Sequence, residues 1–90
     1  MSDPIEIRRQ RLLYQSNRRG TKEADMIIGQ FAIENLHLMT SKELQQFEAL
    51  LRESDPDIMS WVSGTKDPPK QHYNDLFQQI CNFKNILLNH

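Results

Sequence analysis

The stretch Thr40-Ser41-Lys42-Glu43 is a capping box: a Thr hydroxyl can take the backbone N–H three residues on, and the Glu there can return the bond. Leu44, Phe47, Leu50 and Leu51 follow at helical spacing, so start and apolar face agree. Such punctuation recurs along the chain. Asp3 before Pro4, with Glu6 placed for a second box, predicts a first helix to about Gln15 or Ser16. Its apolar residues Ile5, Leu12, Leu13 and Tyr14 form only a broken stripe. Ser16-Asn17-Arg18-Arg19-Gly20 ends it, and Gly20 suits a backbone position needing positive φ. Thr21 caps a second helix, with Glu23 and Asp25 at the dipole end that favours acids and Ala24, Ile27, Ile28, Phe31 and Leu38 carrying the period. Asp55 at the cap and Pro56 at the first helical position open a short fourth helix holding Ile58, Met59, Trp61 and Val62, which Gly64 stops. Thr65-Lys66-Asp67-Pro68-Pro69 is the linker-like stretch. From about Pro69 or Lys70 a longer helix to about residue 88 sets Tyr73, Leu76, Phe77, Ile80, Phe83 and Leu87 on one face. Strand signals do not recur. The expected fold is all-α, a compact five-helix bundle forming a single domain over residues 1–90.

Ninety residues bury only about 60–65% of their unfolded surface, so the core is small and a large catalytic cavity is hard to carve from it. That favours a module presenting a surface over a self-contained enzyme. No apolar run approaches the ~18–20 residues of a membrane helix. Cys81 is the single cysteine and His37, His72 and His90 are scattered, so neither a disulfide nor a metal-ligand spacing is expected. The segment Met1 to Gln10 has no apolar stretch and contains acids, unlike a secretory or transit peptide. The expected location is the cytoplasm, or the mitochondrial matrix for a mature eukaryotic form.

Charge is divided along the chain. Residues 1–22 carry a net +4, residues 23–57 a net −6, and residues 58–90 a net +1. A basic end of this kind can face phosphates, an acidic protein surface or water. Arg8 and Arg11 lie side by side on the first helix, with Arg9 displaced around it. Nucleic-acid readers of the helix-turn-helix type need a second helix entering the groove, and here the second helix carries Glu23, Asp25 and Glu34. A protein-facing or solvated basic face is the better reading.

The first interhelix turn, Arg18-Arg19-Gly20-Thr21-Lys22-Glu23, is the strongest candidate site. A glycine turn would hold Arg19 at the outer edge, with Glu23 one helical turn later on the same side, giving a partner an opposed pair to engage. A helix stop, a cap and a local ion pair account for the same residues. Trp61 after Asp55-Pro56-Asp57 is either a partner anchor or core, and core is the commoner role. Catalysis finds no converging groups. Cys81 sits among Ile80 and Phe83 like a small hydrophobe, His72 and Asp75 share the last helix without a nucleophile, and Gly20, Gly29 and Gly64 are isolated.

In order, Arg8-Arg9-Gln10-Arg11-Leu12-Leu13-Tyr14, Arg18-Arg19-Gly20-Thr21-Lys22-Glu23-Ala24-Asp25 and Gly29-Gln30-Phe31 resemble the succinate dehydrogenase assembly factor (flavinator) family. The likeness continues through Leu44, Phe47, Glu48, Leu50 and Leu51 to Asp55-Pro56-Asp57 and Trp61, covering roughly residues 7–64; beyond Gly64 only a compatible helix follows. The family's Arg-Gly-x-x-Glu motif falls on Arg19, Gly20 and Glu23, and Thr21 stands where members commonly have Met. The resemblance implies a chaperone-like five-helix protein, not an enzyme. It would bind the flavoprotein subunit of succinate dehydrogenase, and in some bacteria of fumarate reductase, and promote covalent attachment of FAD to a histidine of that subunit. The FAD would belong to the partner, with none bound stably by this chain. Arg19, Gly20 and Glu23 are the implied partner contacts, with Arg18, Asp25, Arg8, Arg9 and Arg11 as further members of the face. The competing classes are an antitoxin-like protein and a small helical nucleic-acid-binding regulator.

Overall fold

Side-chain caps set the helix starts. The computed structural model describes residues 4–88, so the Asp3 cap, the box it would close and His90 lie outside the described residues. Helix α1 is Pro4–Ser16, and Glu6 within it pairs with Arg9 at 2.9 Å. Thr21 caps α2, residues 22–35, its hydroxyl accepting the Ala24 N–H at 3.2 Å. The middle of α2, Asp25–Gly29, is wound as a π-helix, and a short 3₁₀ turn, Leu36–Leu38, follows it. Helix α3, Ser41–Leu51, has both halves of the Thr40–Glu43 capping box. Helix α4 is Asp55–Ser63, closed by Gly64 at φ 84°. A 3₁₀ turn at Lys70–His72 precedes α5, Asp75–Leu88. The all-α, five-helix expectation holds, with no strand among the described residues. No described helix is long and apolar enough to cross a membrane.

The core forms where α2, α3 and α5 meet. The Phe31 ring lies 6.0 Å from Phe47 and 5.7 Å from Phe83, the second pair edge-on, a favoured aromatic geometry. Leu12, Ile28, Leu44, Leu50, Ile58, Leu76 and Ile80 belong to the same buried cluster. Helix α1 contributes Leu12 and the buried Ser16, whose hydroxyl donates to the Leu12 carbonyl at 2.6 Å. Its thin stripe is enough because α1 lies close to α2: a Cβ at Gly29 would stand 3.3 Å from the Ser16 carbonyl oxygen and 2.8 Å from Asn17 Oδ1.

Four local expectations are corrected. Gly20 does not adopt positive φ, which among the described residues belongs to Gly64. Leu38 is 70% exposed, because the chain leaves the α-helical period at the 3₁₀ turn and Leu36 is buried instead. The last helix begins at Asp75, with Asn74 Oδ1 accepting the Phe77 N–H at 2.9 Å, so Tyr73 precedes it and is exposed. Helix α4 is capped by Ser54, not Asp55: the Ser54 hydroxyl accepts the Asp57 N–H, and Pro56 falls one place later than expected.

The Thr40 backbone N–H donates to Glu43 at 3.0 Å and holds its carboxyl below the ordinary glutamate value; burial opposes this and the Gln79 amide assists. A depressed folded-state value contributes stability above the unfolded pKa, and that contribution is lost as pH falls through the folded one. Glu43→Gln should therefore cost about 0.5 kcal/mol at neutral pH in urea denaturation, the difference closing between about pH 5 and pH 3. A gap that persists at the acid end contradicts this origin.

Candidate functional site

Helix α3 ends at Leu51 with carbonyls that have no intrahelical partner, as every helix end must. Arg19 supplies the missing donors from the α1–α2 turn. Its Nη1 donates to the Leu51 carbonyl at 2.7 Å and its Nη2 to the Glu53 carbonyl at 2.8 Å. Its Nε donates to Asp55 Oδ1 at 2.7 Å, while the Gly20 N–H donates to Asp55 Oδ2 at 2.8 Å. The Arg19 backbone N–H donates to Asp25 Oδ1 at 2.7 Å. The Arg19 and Asp55 side chains are 12% and 11% exposed, so this ion pair is shielded and held by backbone on both sides.

Ser54 explains why Asp55 is available. Because the serine caps α4, the aspartate is free to turn to the Arg19–Gly20 segment. Arg19 therefore points inward, not along the outer edge as the glycine turn suggested. A Cβ at Gly20 would meet Asp55 Oδ2 at 3.4 Å, an ordinary contact, so alanine fits there. Larger side chains would stand over the Asp55 carboxylate on an exposed edge. Thr21 is the helix cap.

The other implied partner residues divide in two. Arg8 Nε pairs with Glu48 at 3.3 Å, and Arg9 donates to the Leu36 carbonyl at 3.2 Å and the Met39 carbonyl at 2.9 Å. Arg8, Arg9, Arg19 and Asp25 thus hold the fold. Arg11, Arg18, Gly20 and Glu23 are exposed. Glu23 makes no ion pair among the described residues, and the Arg18 guanidinium lies 4.4 Å over the Tyr14 ring. The structure brings Arg11, Arg18 and Arg19 to one groove of about 440 Å³ between α1 and the end of α3, opposite Glu48 and Arg52. Glu23 lies instead on a neighbouring depression with Lys22, Asp55 and Met59.

Sequence reasoning missed the supports behind this corner. Glu53 accepts Arg19 through its carbonyl, and its carboxylate lies 3.2 Å from His72 Nε2. His72 is buried and lies on the 3₁₀ turn, not on the last helix with Asp75. Its ring is 5.5 Å from Trp61, which is half-buried against the core. Burial pushes the half-buried Cys81 thiol up, Lys84 opposing it only in part, which leaves it a poor nucleophile at neutral pH.

Arg19→Ala should lower the unfolding free energy by about 3 kcal/mol, because it leaves Asp55 shielded and unpaired and two carbonyls without donors. Arg19→Lys should recover only part of that, since an ammonium cannot reproduce the three-way fork. Arg18→Ala should stay within about 0.5 kcal/mol. Urea midpoints measure all three, and equal losses at Arg18 and Arg19 would contradict the assignment.

The family described as flavinator of succinate dehydrogenase matches residues 10–84, which carries the likeness past Gly64 and into α5. Among similar proteins is the mitochondrial succinate dehydrogenase assembly factor 2 of Dictyostelium discoideum, 36% identical over 84% of this chain and 54% of its own length. That of Candida glabrata is 43% identical over 70% of this chain and 41% of its own. The corresponding factor 2-A of Drosophila yakuba is 33% identical over 88% and 50%. The chain spans about half the length of these relatives. Its motif, its helical architecture and these matches agree: the chain belongs to the family of succinate dehydrogenase flavinators, which are assembly factors.

Proposed function

We propose that this protein binds the flavoprotein subunit of succinate dehydrogenase and promotes covalent attachment of FAD to it, in the compartment where that subunit matures. Its relatives' names point to mitochondria. The observation that carries the reading is the Arg19 clamp, which fixes the edge bearing Gly20 and Glu23 while leaving both exposed. In this reading Gly20, Glu23 and Arg18 meet the partner directly. Arg19 and Asp25 hold the turn in shape, and Arg8 and Arg9 hold α1, on which Arg11 stands.

The chain itself would supply no reacting group. FAD and its acceptor histidine both belong to the partner, and a rigid surface that holds the partner in one conformation raises the population in which they are aligned. Orientation of this kind can remove several kcal/mol of a barrier without acid–base chemistry, roughly 7 kcal/mol or more in favourable intramolecular cases. The acidic start of α2 opposes a nucleic-acid partner, because Glu23 and Asp25 stand beside the basic turn.

The test is in-gel fluorescence of covalent flavin on the flavoprotein after denaturing electrophoresis. Deleting the gene should abolish or strongly reduce the signal, and the intact chain should restore it. Glu23→Ala and Gly20→Arg should fold, by circular dichroism, yet restore less than about a tenth of it. Unchanged covalent flavin on deletion overturns the function, and full rescue by both variants overturns the site.

A further inference from the structure

The groove between α1 and the end of α3 has more positive charge than the fold uses. Arg19 is paired with Asp55 at 2.7 Å. The acid in the groove, Glu48, is already bracketed by Arg8 at 3.3 Å and Arg52 at 3.1 Å. Arg11 and Arg18 have no carboxylate partner among the described residues, and Arg52 is 75% exposed while sharing Glu48. The face of Tyr14 orders the Arg18 guanidinium without neutralising it. Three guanidinium groups therefore border an open groove of about 440 Å³ with their charge largely unmatched.

We propose that this groove receives a carboxylate-rich segment of the protein partner, two or three acidic side chains seated against Arg11, Arg18 and Arg52. Guanidinium groups match carboxylates in planar, two-point geometry, so spacing as well as charge selects the segment. A protein segment fits better than a nucleic-acid strand. The groove is short, and beyond the Arg19–Asp55 pair the surface carries Glu23, which would repel a phosphate chain running on past it. The partner's identity as the flavoprotein rests on the function proposed above; the ligand chemistry does not.

The test uses a hexaglutamate peptide and a thymidine hexanucleotide as probes, with arginine side-chain Nε–Hε signals read by NMR on the whole chain. Hexaglutamate should shift Arg11, Arg18 and Arg52 but not Arg9, whose donors are occupied by carbonyls, and added salt should reverse the shifts. The double variant R11Q/R52Q should keep its fold and weaken binding of both hexaglutamate and the flavoprotein about tenfold, some three- to fivefold per arginine. If R11Q/R52Q binds hexaglutamate within about twofold of the parent, or the hexanucleotide binds more tightly than the peptide, the proposal is overturned. Flavoprotein binding that Glu23→Ala abolishes and R11Q/R52Q leaves unchanged overturns the groove while sustaining the function. Hexaglutamate binding at the three arginines without any binding of the flavoprotein does the reverse.

Discussion

The Arg19 guanidinium joins the turn after α1, the end of α3 and the start of α4, and the exposed edge takes its shape from that join. One side chain satisfies two carbonyls at a helix C-terminus and pairs with a shielded aspartate, while its neighbour's backbone N–H donates to the aspartate's second oxygen. Either charge of the Arg19–Asp55 pair would be costly to leave alone at such low exposure. A positive charge at the C-terminal end of α3 also opposes the negative end of the helix dipole. The motif residues of the turn are thus divided by task. Arginine fixes the corner, and glycine and glutamate are what the corner shows.

Arg9 repeats the device one helix away. Its donors reach the Leu36 and Met39 carbonyls, where α2 runs out into a 3₁₀ turn. A basic stretch on α1 that reads as one electrostatic face is therefore two things. Arg8 and Arg9 tie α1 to α3 and to the end of α2, while Arg11 and Arg18 border the groove with no carboxylate partner among the described residues. For a domain of ninety residues with a small core, such polar ties matter more than in a larger one.

The starts of α2 and α3 were legible in the sequence because capping is local, while the α4 cap was read one residue late. Thr40 with Glu43, and Thr21 with the helix after it, could be read within a few residues, and the Gly64 stop likewise. Boundaries set by distant packing were not. The last helix starts at Asp75 because Lys70–His72 turns separately to bury His72 beside Trp61 and Glu53, a constraint spanning some nineteen residues. The motif's position was readable, but the inward aim of Arg19 was not, since its partner Asp55 is 36 residues away. The one clue was Ser54, a capping residue three before Asp57 that leaves the aspartate without a local task.

In the function proposed here, what links fold to function is that a corner held from within is the surface offered to the partner. Hydrogen exchange of the chain, alone and with the flavoprotein subunit, addresses this directly. Added protection should appear at residues 18–25 and at the end of α3 around Arg52, while the amides of α5 exchange as before. Protection gained along α5, with the Arg19–Gly20 turn unchanged, would contradict it.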